Sequence, residues 1–170
     1  MTKKAKPKTT PRSSQSAIRD VPFALLSERA ILPSRATEHS AGFDLYLPTE
    51  ATIPTHFRAA TLNTPEYPIV IDFEVAVVIP LGHVGLLSLR SSIGAKGLVI
   101  PNSPGIIDPD YRGSLKLIVA NLSPRQVFLP ANSRVAQLTI VPAQFTDPIH
   151  LDPLPKVSSS RSGGLGSTGE

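Results

Sequence analysis

The sequence predicts an all-β fold, built as a sandwich, a jelly roll or a barrel, and three observations support this. Val- and Ile-rich runs of strand length recur between positions 69 and 141, and such residues favour strands. The chain carries 18 prolines and 11 glycines, which mark turns between short strands. No ten-residue segment has convincing helical periodicity. At 170 residues, we expect one domain with a hydrophobic core.

The elements are expected to follow one another along residues 21–151. The first is an 11-residue run whose only charges are Asp72 and Glu74. Its length and β-branched composition favour strand. The predicted elements, in order, are a strand region over 69–79, a turn over 80–83, a strand over 84–89, a helical turn over 92–97, and strands over 115–120 and 135–141.

The two ends of the chain differ from this core. Residues 1–20 form a polar leader whose first 19 positions hold six cations and no acid, and we expect it to be disordered. A nuclear address is the alternative interpretation of its lysines. The rest of the chain has 11 basic and 13 acidic residues, which argues against a core that binds nucleic acid. Residues 152–170 are rich in Gly and Ser and predict a flexible arm.

Composition also restricts the environment. There are no cysteines, which excludes disulfides and thiolate metal sites. No apolar run approaches membrane-spanning length, and no signal-peptide pattern opens the chain. We therefore expect a soluble intracellular protein without membrane contact. A nuclear location and a viral origin remain open.

The segment Gly105–Gly113 is the most informative of the chain. An apolar pair leads to Asp108 at a turn, and Tyr111 and Arg112 follow at once. An acid, a flat ring and a cation on one predicted hairpin indicate a small-molecule site. A turn-capping Asp and a tyrosine packed at a sheet edge are the structural alternatives.

Four other segments accompany this one in a fixed order, and together the five resemble the motifs of the homotrimeric dUTPase family (deoxyuridine 5'-triphosphate nucleotidohydrolases). The resemblance covers residues 21–170. In chain order, the motifs are Ala41–Tyr46, Arg90–Gly94, Gly105–Gly113 continuing to Asn121, Ser133–Leu138 and Gly163–Gly169.

The resemblance implies both a fold and an activity. The fold would be a distorted jelly-roll-like β-barrel of the β-clip type, assembled as a homotrimer with shared active sites. The reaction would be Mg²⁺-dependent hydrolysis of dUTP to dUMP and pyrophosphate, which limits uracil incorporation into DNA and supplies dUMP.

The resemblance also assigns roles to individual residues. Asp108 would activate the attacking water, Tyr111 would pack under the deoxyribose and exclude a 2'-hydroxyl, and Asp44 would hold Mg²⁺ through water. Main-chain groups of a hairpin over 98–107, including Gly105 and Ile107, would read uracil with help from Asn102. The phosphate-binding residues would be Arg90, Ser91, Ser92 and Gln137. The arm would also bind substrate, with Leu165 in the place of the family's aromatic lid over uracil; its other substrate-binding residues would be Arg161, Gly166, Ser167 and Thr168.

Several positions depart from the family pattern. Ser92 replaces a Gly in the second motif, Asn132-Ser133 replaces Gly-Asp in the fourth, and Leu165 replaces a Phe in the fifth. The arm arginine, Arg161, lies one residue nearer to that position than the family arginine does. Two alternatives follow. One is a regulatory or interaction protein derived from a dUTPase. The other is a dCTP deaminase, although Ile118 occupies the place of that family's catalytic Glu.

Overall fold

The structure is a computed structural model that describes residues 20–55, 68–153 and 155. These residues form eleven strands and one four-residue helix. The strands are β1 Phe23–Leu25, β2 Gly42–Tyr46, β3 Ala51–Ile53, β4 Ile69–Asp72, β5 Val75–Val77, β6 His83–Leu89, β7 Leu98–Val99, β8 Gly105–Ile107, β9 Lys116–Asn121, β10 Val127–Leu129 and β11 Arg134–Pro142; the helix, α1, is Ser91–Gly94.

Four groups of paired strands make up the fold, and every pairing among the described residues is antiparallel. The largest sheet has the order β2-β11-β6-β8. A second sheet has the order β4-β9-β7, and β1-β5 and β3-β10 form two further pairs. The all-β class predicted from the sequence is confirmed.

The core lies between these sheets, and burial alternates along some strands, as in β8 and β10, whereas β5 is buried throughout. In β9, Leu117 and Val119 are fully buried and Lys116, the first residue of the strand, is exposed. Leu45, Leu87 and Leu138 bring β2, β6 and β11 into the same hydrophobic cluster. Burying large aliphatic side chains of this kind is the main stabilising contribution to such a fold. The core therefore fixes the central sheet on which the site residues lie.

Most predicted element positions agree with the structure. The turn over 80–83 is closed by a hydrogen bond from His83 N to Pro80 O of 3.1 Å, with Gly82 at φ 77°. The strands β6, β9 and β11 begin and end within about one residue of their predicted bounds. The helical turn starts one residue earlier than expected, at Ser91.

Two expectations were wrong. The run 69–79 is not one strand, because Glu74 has a positive φ of 55° and separates β4 from β5. The segment 98–107 is not a hairpin, because β7 pairs with β9 whereas β8 pairs with β6. The Asp108–Arg112 segment likewise connects two different sheets and is not the tip of a hairpin.

The structure leaves some predictions outside its described range. They are the leader, apart from Asp20, and the arm residues Arg161, Leu165, Gly166, Ser167 and Thr168. Among the described residues, no helix has the length and apolar character needed to cross a membrane.

Candidate active site

A buried carboxylate organises one side of the site. Asp44 lies on β2, opposite Gln137 of β11, and its side chain is 7% exposed. Arg90 Nε lies 2.9 Å from Asp44 Oδ1, and Arg134 Nη1 lies 3.1 Å from Oδ2. Arg134 thus donates a charge-assisted hydrogen bond to one oxygen of the carboxylate, and Arg90 forms an ion pair with the other oxygen.

The backbone around these arginines explains how they meet. The pairing of β11 with β2 shifts between Arg134 and Ala136, and such bulges redirect side chains. The bulged residue, Val135, accepts a hydrogen bond of 3.1 Å from the backbone N–H of Arg90. Arg90 also accepts the first hydrogen bonds of α1, which is anchored by the buried Ile93. The backbone of Arg90 is thus held against β11, the strand on which Arg134 lies, so the sheet fixes the positions of both arginines.

A polar cavity of about 340 Å³ opens beside this cluster. Arg90, Ser91 and Gln137 line it together with Asp44, so the first, second and fourth motifs meet at one place. Gly42 packs closely there, since a Cβ would lie 3.2 Å from Thr139 Oγ1 and 3.3 Å from Gln137 Oε1. The other lining residues are Ala36, Ser40, Ala41 and Thr139. Ser92, predicted to bind phosphate, is exposed on α1 and does not line this cavity.

Asp108 lies on a different part of the molecule. It is exposed at the turn after β8, and the turn is closed by a hydrogen bond from Tyr111 N to Asp108 O of 3.1 Å. Arg112 folds back on this turn, and its Nη1 donates to Pro109 O at 2.6 Å and Tyr111 O at 2.8 Å. Asp108 lines a second cavity, of about 520 Å³, with Leu81, Pro109, Asp110, Arg112 and Phe145.

Tyr111 is presented to solvent in a fixed position. Tyr111 is 40% exposed, and its hydroxyl donates a hydrogen bond to Ser114 O at 2.8 Å. The ring lies directly over Gly113, where a Cβ would come within 2.5 Å of the hydroxyl oxygen. The aromatic ring can therefore act as a platform or as a barrier for a ligand.

The residues predicted to read a base lie on or before an edge strand. β8 is the last strand of its sheet, so one side of its backbone faces away from β6. Gly105 and Ile107 are buried against the sheet, whereas Asn102 is exposed in the preceding turn. An unpaired strand edge offers main-chain donors and acceptors in fixed register.

The two parts of the site are far apart within one chain. Ile107, next to Asp108, pairs with Gly85 near the start of β6, whereas Arg90 follows the end of that strand. At about 3.3 Å per residue, the intervening strand spans about 17–20 Å. The structure therefore brings Asp44, Arg90, Ser91 and Gln137 together but leaves Asp108 and Tyr111 apart from them.

Sequence reasoning missed three residues that the geometry makes important. Arg134 belongs to the fourth motif, which predicted no role for it, whereas the structure shows its contact with Asp44. Asp72 and Ser114 form a hydrogen bond beside Tyr111. The isolated charge of Asp72 within an apolar run was the only sequence signal for this contact.

The fold also changes the pKa of Asp72. Partial burial alone would raise the pKa of Asp72. Hydrogen bonds from Ser114 Oγ and Glu74 N, together with the Lys116 ammonium, outweigh that effect and lower the pKa below its ordinary value. Asp72 is therefore a carboxylate at neutral pH.

Comparison with known proteins adds independent support. The dUTPase family model matches residues 28–169. A deoxyuridine 5'-triphosphate nucleotidohydrolase of Hydrogenobaculum sp. is 33% identical over 145 residues, covering 85% of this chain and 94% of the relative. The chain belongs to the dUTPase family.

Solved dUTPase structures have the same fold. The dUTPase of Staphylococcus bacteriophage 80alpha with dUPNHPP superposes with a TM-score of 0.73 at 26% identity, covering 89% of this chain and 99% of that one. The dUTPase of phage phi11, in a mutant structure that shows the coordination of a structural Mg(II) ion, gives a TM-score of 0.65 at 26% identity, over 78% and 97%. The barrel of this chain is thus the dUTPase fold.

Proposed function

We propose that this protein is a dUTP diphosphatase that hydrolyses dUTP to dUMP and pyrophosphate by attack of water at the α-phosphate. The observation that carries the proposal is the polar cavity in which Arg90, Ser91 and Gln137 converge beside the buried Asp44. Family membership supplies the substrate, and this cavity supplies a place for its phosphates.

The cavity suits a polyphosphate because a cation and neutral donors line it in fixed positions. Two guanidinium groups contact the single carboxylate of Asp44, so this cluster carries a net positive charge beside the cavity. Arginine binds phosphate oxygens through paired N–H groups, and the Ser91 hydroxyl and Gln137 amide add neutral donors. Because Asp44 holds Arg90 in place before substrate arrives, little ordering is needed on binding.

Asp108 and Tyr111 serve the other end of the substrate. Asp108 is exposed and acceptor-only when ionised, so it can orient a water molecule and receive its proton during attack. Tyr111 packs under the deoxyribose, where its ring leaves no room for a 2'-hydroxyl. The free edge of β8 supplies the main-chain groups that read uracil.

These two halves require more than one subunit. Within one chain, about 17–20 Å of strand separates Asp108 from Arg90, which is too far for both to act on one phosphate. A homotrimer closed by head-to-tail contacts would place Asp108 of one subunit beside the phosphate cavity of the next. The separation in the single chain is therefore the structural argument for shared active sites.

The residues are compatible with Mg²⁺ that arrives with the substrate. No group of three His, Cys, Asp or Glu residues among those described could enclose a metal ion. Each oxygen of Asp44 contacts one arginine, whereas a carboxylate has about four acceptor sites in total. Asp44 can therefore still accept from a metal-bound water, as Mg²⁺ prefers. The ion would neutralise phosphate charge, and the phi11 dUTPase shows Mg²⁺ in this family.

The decisive assay follows pyrophosphate release from dUTP, dCTP, dTTP and UTP in the presence of Mg²⁺. We expect turnover of dUTP with the other three much poorer, and Asp108→Asn should lower kcat strongly while nucleotide still binds. Ammonia release from dCTP would indicate a deaminase instead. Binding of dUTP without turnover would favour a regulatory protein.

A further inference from the structure

A hydrogen-bonded corner lies next to the segment that carries Tyr111. This corner consists of Asp72–Glu74, where the chain passes from β4 to β5 with Glu74 in the left-handed region at φ 55°. Glu74 N donates to Asp72 Oδ1 at 2.9 Å, which supports the strained backbone. The Glu74 carboxylate is in turn held by Ser27 Oγ and by Arg29 Nη2 at 3.0 Å.

This corner is rigid because the backbone on both sides is buried and paired. Phe73 is 1% exposed. Its N–H donates to Leu115 O at 3.0 Å, and Leu115 N donates to Val75 O at 2.8 Å. The start of β9 is thus attached to the corner by two main-chain hydrogen bonds. The residues just before it, from Asp110 to Gly113, are exposed.

Ser114 connects the rigid corner to the exposed tyrosine. Its side-chain hydroxyl donates to Asp72 Oδ1, and its main-chain carbonyl accepts the Tyr111 hydroxyl at 2.8 Å. The same residue is therefore fixed through its side chain and in turn fixes the ring. Lys116 Nζ lies 3.5 Å from Asp72 Oδ2, on the other side of the carboxylate.

We propose that Asp72 is a positioning residue that holds Tyr111 through Ser114 and so determines how strongly the enzyme rejects ribonucleotides. The inference rests on the proposed function of Tyr111 as the group that excludes a 2'-hydroxyl. An aromatic ring excludes one extra oxygen atom only if it cannot shift. Here the ring has open solvent on one side and is held by one hydroxyl contact and by Gly113.

The test measures kcat/KM for dUTP and for UTP in four proteins: wild type, Asp72→Ala, Ser114→Ala and Asp72→Asn. In Asp72→Ala and Ser114→Ala, the ratio of kcat/KM for UTP to kcat/KM for dUTP should rise about two- to tenfold. This range corresponds to the loss of one hydrogen bond. Asp72→Asn keeps an oxygen that can accept from Ser114, so it should restore most of the discrimination.

Two further variants separate positioning from general loosening of the corner. Ser27→Ala removes a contact on the opposite side of the same corner and should leave the UTP to dUTP ratio at the wild-type value. Tyr111→Phe removes the hydroxyl that Ser114 holds. Its effect on the ratio should not add to that of Asp72→Ala, because both changes release the same ring.

The outcomes distinguish this inference from the proposed function. Wild-type protein that does not hydrolyse dUTP would overturn the proposed function itself. Wild-type turnover with unchanged ratios in Asp72→Ala and Ser114→Ala would overturn only the positioning role. Equal changes in Ser27→Ala and Asp72→Ala, or full additivity with Tyr111→Phe, would assign the effect to stability instead. Thermal unfolding of each variant verifies that it is folded.

Discussion

Removal of the Asp44 carboxylate should destabilise the protein even when no nucleotide and no metal are present. The side chain is 7% exposed and contacts Arg90 at 2.9 Å and Arg134 at 3.1 Å. A hydrogen bond to a charged group contributes about 1.5–3 kcal/mol. The arginines are 27% and 44% exposed and can regain water, so we expect Asp44→Ala to cost about 2–4 kcal/mol.

The assay is urea unfolding at one fixed protein concentration, with EDTA and then with Mg²⁺, because the proposed trimer assembly would make apparent stability depend on concentration. Glu50→Ala, which removes an exposed acid, is the matched control and should change little. kcat/KM for dUTP should fall in Asp44→Ala, since Arg90 loses its anchor. Unchanged stability in EDTA would refute the arginine-holding role, and a loss seen only with Mg²⁺ would assign Asp44 to the metal.

Three further predictions follow from the same structure. Gly113→Ala should displace the Tyr111 ring, since the new Cβ would lie within 2.5 Å of its hydroxyl, and kcat/KM should then rise for UTP relative to dUTP; an unchanged ratio would contradict the ring position. Asp72→Asn should be less stable than wild type by its full amount above about pH 4, because the lowered pKa of Asp72 means that the folded state favours the ionised carboxylate. The difference should disappear as the pH falls further and Asp72 becomes protonated. Unfolding from pH 7 to 3 measures this, and a constant difference would contradict it. Deleting residues 160–170 should remove most dUTP turnover while the core melts as in wild type, because the family resemblance implies that the glycine-rich amides close on the phosphates; a folded, fully active truncation would show that the fifth motif is only a tail.

The fold class and the bounds of β6, β9 and β11 could be predicted because they depend on local patterns. The alternating burial at the start of β9 and the Gly82 turn are encoded by neighbouring residues. Pairing partners are not local, and the predicted hairpin over 98–107 was wrong for that reason: β7 and β8 are adjacent in sequence but belong to different sheets. The Glu74 corner was missed because only Gly and Asn commonly signal a positive φ.

The candidate site was predictable to the extent that its residues lie in the recognisable motifs. Asp44, Arg90, Ser91 and Gln137 do converge, as their motifs implied. The role of Arg134 depends on a bulge in β11, which the sequence does not reveal. The contact between Asp72 and Ser114 joins residues 42 positions apart and lies outside the motif pattern altogether.

The central claim is that the catalytic carboxylate and the phosphate cavity of one site come from different chains, and a mixed trimer tests it most directly. Asp108→Asn and Arg90→Ala should each be nearly inactive alone. When equal amounts of the two variants are unfolded together and refolded, a site is intact if an Asp108→Asn chain supplies Arg90 and an Arg90→Ala chain supplies Asp108. Random mixing gives this combination at about one site in four, so activity should recover to about a quarter of wild type. Recovery to that level supports shared sites, whereas a mixture no more active than its two components would contradict them.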